Sequence, residues 1–234
     1  MNILITGASR GIGRETAKQL TLIDGNKVIA VSRNKAKLEE LRSECKALNG
    51  KSQLITLPFD LTSDNIKDEL FPKIVHEVDH LDILINNAGF LVNKPFLELD
   101  SEDIQKVFNT NLFAVIKLIQ MLLPLMGKHG KTSIVNIGSI GGYKGSDKFT
   151  GLSIYSASKG ALSTLSECLA EEFKDLNINV NCLALGGVNT EMLHQAFPGY
   201  KAPVNPEQMA AYIVDFCQGE GMQSSGKVIV PDLW

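Results

Sequence analysis

Seven short runs rich in β-branched residues alternate with longer stretches of helical periodicity along this chain, and that alternation leaves few folds open. The runs are NILIT (2–6), KVIAVS (27–32), SQLITLPFD (52–60), LDILINNAG (81–89), TSIVNIGS (132–139), INVNCLAL (178–185) and KVIVP (227–231). Helical patterns fall between them, near 12–22, 35–48, 63–77, 101–126, 154–174 and 206–217. Runs this apolar are buried on both faces, and a βαβ series then implies a parallel sheet covered by helices on each side. The expectation is one α/β domain over residues 1–234, a Rossmann-type doubly wound sheet of about seven strands. Ligands of such sheets bind beyond the carboxyl ends of the strands, so the residues just after each strand are the ones to question.

Composition narrows the partners. The net charge is −3 and acids and bases are well mixed, which predicts neither a nucleic-acid surface nor a basic membrane-binding face. The most apolar run, from Leu112 to Met126, contains Lys117, Gln120 and Pro124 and is expected to be a buried helix too short for a bilayer. Cys45, Cys168, Cys182 and Cys217 lie far apart, and His76, His80, His129 and His194 form no ligand spacing. The pattern predicts reduced thiols, no metal site and a cytoplasmic protein.

After the first strand comes TGASRGIG, from Thr6 to Gly13. Its glycines at 7, 11 and 13 permit a tight turn and close backbone approach to a ligand just where a helix begins. Free N–H groups there suit a pyrophosphate, so Gly7, Ser9, Arg10, Gly11, Ile12 and Gly13 are candidate cofactor-binding residues. The second strand ends in Ser32-Arg33-Asn34, where an NAD-binding chain would usually carry an acid. An arginine there can clamp a 2′-phosphate, and Arg10 either adds a second positive charge or is solvated surface. The cofactor expected is therefore NADP(H). Asp60 and Leu61 follow the third strand as candidate adenine contacts, and Asn87, Ala88 and Gly89 follow the fourth beside the ribose. Beyond the fifth lie Ser139 and then YSASK, in which Tyr155 and Lys159 share one face of a helix.

Taken together, TGASRGIG, NNAG (86–89), Asn111 in NTNLF, Ser139 in NIGSI, YSASK (155–159) and LGGVNT (185–190) resemble the short-chain dehydrogenase/reductase superfamily over essentially the whole chain. The resemblance implies a catalytic set of Asn111, Ser139, Tyr155 and Lys159. Tyr155 would be the general acid or base, with its pKa lowered by Lys159, which would also hold the nicotinamide ribose. Ser139 would bind the substrate oxygen, Asn111 would hold a relay water, and Val188 and Thr190 would lie at the nicotinamide carboxamide. The implied reaction is NADPH-dependent reduction of a ketone or aldehyde, small or carrier-bound. The rival is an NADP(H)-binding sensor or scaffold without turnover, which would be expected to lack Tyr155 or Lys159.

Two departures from the family stand out. Leu185 replaces the usual proline, from which a softer loop is expected, and the segment 145–154 looks extended. The segment 191–206 is expected to form a short substrate lid, with Met192, Leu193, Phe197 and Tyr200 as its apolar lining. By resemblance the chain forms a homodimer or homotetramer, and the apolar face of Val107, Val115, Leu118, Leu122 and Leu125 is a candidate contact or part of the core.

Overall fold

A computed structural model describes residues 1–233. Its strands are β1 (Asn2–Thr6), β2 (Lys27–Ser32), β3 (Gln53–Pro58), β4 (Ile83–Asn86), β5 (Thr132–Ile137), β6 (Ile178–Leu183) and β7 (Val228–Ile229). They are joined through α1 (Gly11–Thr21), α2 (Lys35–Leu48), α3 (Phe71–Glu77), α4 (Ser101–Phe108), α5 (Ala114–Leu122), α6 (Ser153–Glu172), α7 (Glu191–Ala196) and α8 (Pro206–Gln218). All strands pair in parallel, in the order β3-β2-β1-β4-β5-β6-β7. The order reverses between β1 and β4, which opens a crevice at their carboxyl ends.

Period-2 alternation divides the core into two layers. Ile3 and Ile5 pack with Leu20, Leu41 and Ile213 on one side of the sheet, whereas Leu4 packs with Ile74, Leu118 and Leu122 on the other. Each such side chain contributes about 1.5–3 kcal/mol when fully buried. Helix starts are set by side-chain caps: Asn34 accepts from the Lys37 N–H at 3.0 Å, and Asn205 and Gln208 close a capping box ahead of α8.

The long helix expected at 101–126 differs from its prediction in two ways. A wider turn at Asn109–Phe113 separates α4 from α5, with the Ala114 N–H bonded five residues back to the Asn109 carbonyl. Such bulges insert one extra residue into the turn and re-aim the side chains around it. The helical stretch Ser101–Leu125 also runs 25 residues and contains an 18-residue window with a mean hydropathy of 1.4, long and apolar enough by those measures to cross a membrane. Its apolar side is already taken, because Val107, Val115, Leu118 and Leu122 are buried in the core. Of the face considered for subunit contact only Leu125 is not fully buried, and the large apolar side chains this stretch exposes are Ile104 and Phe113.

Strand ends are shorter than the apolar runs that announced them. Asn87–Gly89 leave the sheet after Asn86, and β7 keeps only two paired residues. The Leu185 side chain is buried in the core, and its carbonyl accepts from the Ile140 N–H at 2.8 Å.

Candidate active site

The glycine turn is built against β4. Gly7 has φ +70°, and a Cβ there would stand 2.8 Å from Ala88 Cα; one on Gly13 would stand 2.2 Å from Asn87 Nδ2. Only glycine permits this approach. Asn87 secures it from the other side, donating through Nδ2 to the Thr6 carbonyl at 2.9 Å, while Thr6 Oγ1 accepts from the Asn87 and Ala88 N–H groups. Helix α1 then starts without a side-chain cap and without an acid in its first turn. Among the described residues no side chain caps its first N–H groups, and their positive dipole end suits a bound phosphate.

Beside this turn, Ser32 donates to Ser9 Oγ at 2.8 Å. Arg33 is largely exposed, and the carboxylate it faces is Asp60, 4.0 Å away. Asp60 is otherwise engaged by the Thr62 N–H and hydroxyl at 3.0 and 2.8 Å. Burial acts to raise its pKa, but those bonds and the Arg33 charge hold it below the usual carboxylate value. Asn34, expected to touch cofactor, does not line the cavity: its side chain is committed to capping α2.

At the other end, Ser139 caps a short 3-10 turn, Ile140–Gly142, and accepts from the Gly141 N–H at 3.2 Å. That turn lies directly on α6, since a Cβ on Gly142 would meet Gly160 N at 2.5 Å and the Lys159 carbonyl carbon at 2.6 Å. Ser139 is thereby held over the face of α6 that carries Tyr155 and Lys159. Lys159 is buried, and its Nζ donates to the Ile137 carbonyl at 2.7 Å. Desolvation pulls its pKa down from 10.5 to about 8. Burial pushes Tyr155 above its ordinary value, and the group that works against this shift is the Ser139 hydroxyl. In this arrangement the Lys159 ammonium is directed onto the Ile137 carbonyl, from the same helix that carries Tyr155.

Asn111 lies in the wider turn between α4 and α5. It is fully buried in the wider turn and does not line the cavity. Its Oδ1 accepts from the Phe90 N–H at 2.8 Å, and its Nδ2 donates to the Phe90 carbonyl and to Ser158 Oγ, each at 2.9 Å. Ser158 in turn donates to the Tyr155 carbonyl at 2.7 Å. With both amide hydrogens spent, the side chain pins α6 to the loop after β4 and is not free to donate to a relay water.

A single cavity of about 550 Å³ joins these two ends. It is lined by Gly7, Ser9, Arg10, Gly11, Ile12, Gly13, Ser32, Arg33, Asp60, Leu61, Asn87, Ala88 and Gly89, and also by Ser139, Tyr155, Lys159, Val188 and Thr190. The segment expected to form a lid is α7 with the residues after it, and an isolated bridge pairs Val188 with Val204 at its root. Met192, Leu193, Phe197 and Tyr200 line the cavity from the lid, and Phe149 and Leu152 line it from the extended loop. Tyr143, Lys144 and His194 do not. Leu91, Thr110 and Glu191 also line it, and sequence reasoning missed them as site residues. None of them follows a strand directly, so position gave no signal for them.

Comparison with known proteins agrees with this geometry. The family model for short chain dehydrogenase matches residues 1–201. The ketoacyl reductase HetN of Nostoc sp. is 36% identical over 80% of this chain, a match that spans 63% of the relative's length. The 3-oxoacyl-acyl-carrier-protein reductase FabG of Thermotoga maritima is 31% identical over 97% of this chain and 94% of its own. Among solved structures, a short chain dehydrogenase of Escherichia coli CFT073 complexed with NADPH superposes with a TM-score of 0.88 at 30% identity, covering 98% of this chain and 95% of that one. The family model covers residues 1–201 and the solved structure covers 98% of the chain, which belongs to the short chain dehydrogenase family.

Proposed function

We propose that this protein is an NADPH-dependent reductase that converts a ketone or aldehyde to an alcohol. One observation carries the reading: the uncapped start of α1 and the Ser139, Tyr155 and Lys159 side chains line one continuous cavity. The α1 N–H groups and the glycine turn would hold the pyrophosphate, Ser32, Arg33 and Arg10 the 2′-phosphate, and Asn87, Ala88 and Gly89 the adenosine side. Val188 and Thr190 would lie at the carboxamide, and Lys159 would hold the nicotinamide ribose through donors left over from its bond to Ile137. When bound, the reduced nicotinamide supplies the hydride.

The chain's own groups supply the proton. Tyr155, with its pKa raised by burial, stays protonated at neutral pH and can donate to the substrate oxygen. Ser139 already accepts from the Gly141 N–H, so its hydroxyl hydrogen is available to that same oxygen as charge develops on it. A protonated phenol favours the reductive direction.

The substrate end is walled by Phe149, Leu152, Met192, Leu193, Phe197 and Tyr200, which favours an apolar ketone or an acyl chain over a sugar-like polyol. The names of the two curated relatives add 3-oxoacyl thioesters to the substrates worth testing. Exposed Ile104 and Phe113 are in keeping with a dimer or tetramer, and the four unpaired thiols with the cytoplasm.

The test is loss of NADPH absorbance with aldehydes, diketones, simple ketones and 3-oxoacyl thioesters, run beside Tyr155→Phe. Turnover is expected to fall by about 100-fold to 10,000-fold in the variant, with NADPH binding kept. NADPH binding without turnover on any of these carbonyls would overturn the reading.

A further inference from the structure

Glu191 opens the lid helix α7 and reaches across the crevice to the opposite wall. Its Oε2 accepts from Arg10 Nη1 at 3.0 Å and its Oε1 from Lys37 Nζ at 3.3 Å. Arg10 belongs to the glycine turn and lines the cavity, and Lys37 lies in the first turn of α2 outside its lining, so one carboxylate ties the lid to two separate elements. The residue before it, Thr190, rests on the glycine turn, its Cγ2 3.3 Å from where a Cβ on Gly11 would lie. Arg33 stands in the same cavity wall, with Asp60 4.0 Å away as its own carboxylate.

Arg10 and Arg33 thus share the cavity wall, Lys37 joins them through Glu191, and the two shortest of these ion pairs are both made by that lid residue. Hydrogen bonds from Arg10 and then from Lys37 hold the Glu191 pKa below its ordinary value, so the carboxylate is ionised at neutral pH.

We propose that Glu191 is a specificity-determining residue for the cofactor: its carboxylate occupies the Arg10 and Lys37 donors that a 2′-phosphate would take, and a ligand carrying that phosphate must displace it, freeing the root of the lid. The inference rests on the NADP(H) reading above and adds to it the residue that competes for the same charges. Exposed ion pairs of this kind are weak, whereas arginine bonds to a phosphate dianion are shorter and stronger, so the phosphate wins the exchange. NADH has the same pyrophosphate but no 2′-phosphate and has no comparable call on the two cations. The lid then responds to which of the two cofactors is bound.

The experiment is calorimetric titration of NADPH and NADH into wild type, Glu191→Gln, Arg10→Gln and the Glu191→Gln/Arg10→Gln double variant. Removing the competing charge is expected to tighten NADPH binding about threefold to tenfold, the scale of two exposed pairs, and to leave NADH unchanged. In the Arg10→Gln background the gain should shrink or vanish. Hydrogen exchange at 191–197 gives a second reading: NADPH should loosen these amides relative to NADH in wild type, and the difference should disappear in Glu191→Gln. Weaker NADPH binding by Glu191→Gln would show instead that the carboxylate positions Arg10, and would overturn the inference. Equal shifts for both cofactors, or none, would overturn it as well while leaving the reductase reading intact. Failure of wild type to bind NADPH would overturn both.

Discussion

The Nζ of Lys159 donates to the main-chain carbonyl of Ile137 at 2.7 Å, two residues before Ser139. A buried ammonium is thus anchored to the end of β5 with its remaining donors left for the crevice. This anchoring has a thermodynamic consequence. The drop of the Lys159 pKa from 10.5 to about 8 corresponds to roughly 3 kcal/mol of burial penalty. Because the folded-state value lies below the unfolded one, the penalty is carried in full below about pH 8 and relieved as pH rises towards 10.5. Lys159→Met should therefore raise stability at pH 7 by about 1–2 kcal/mol, the orphaned Ile137 carbonyl offsetting part of the gain. Activity should be abolished. Urea unfolding at pH 7 and pH 10 would test this; an equal difference at the two pH values, or a less stable variant at pH 7, would contradict it.

Cofactor choice should follow Arg33. It is exposed and lightly paired, so Arg33→Asp removes a donor without disturbing the core and sets a negative charge beside Asp60. Charge-assisted bonds of this kind are worth about 1.5–3 kcal/mol, so NADPH affinity should fall by roughly tenfold to a hundredfold. NADH affinity should change much less. Parallel titrations with the two cofactors would decide it, and equal NADPH affinity in the variant would remove Arg33 from the site.

The turn bearing Ser139 depends on contact between two glycines. Gly142→Ala places a methyl 2.5 Å from Gly160 N, a main-chain atom that cannot swing aside. The turn must lift off α6, costing about 1–3 kcal/mol and carrying Ser139 away from Tyr155. Both the melting temperature and kcat should fall. Gly50→Ala, where an added Cβ meets nothing within 4 Å, serves as the control and should shift stability by no more than about 0.5 kcal/mol.

Asn111 should behave as a structural pin. In Asn111→Ala the Phe90 N–H and carbonyl and the Ser158 hydroxyl each lose a partner, at about 1–3 kcal/mol for each buried group left unpaired. The variant should be much less stable, with increased hydrogen exchange at Phe90 and at the start of α6. A fully stable but inactive variant would instead return Asn111 to a direct role in proton transfer.

The parts of this protein legible in its sequence are those whose cause is local. Continuous apolar, β-branched runs identified all seven strands because both faces of a parallel sheet are buried, and the glycines at 7, 11 and 13 followed the first strand because a turn and a close backbone approach are written in residue type. Tyr155 and Lys159 shared a face because four residues make about one helical turn. What only the tertiary structure decided are contacts between distant segments. Glu191 meets Arg10 across 181 residues, and Asn111 meets Phe90 across 21 through a wider helical turn that no propensity announced. Whether Val107 and Leu118 faced a partner or the core, and whether Lys159 pointed at Tyr155 or at the Ile137 carbonyl, was likewise settled by packing. Residue type and spacing set what each segment can do alone; the direction and pairing of a buried charge or amide depend on which groups the whole fold brings within hydrogen-bond reach.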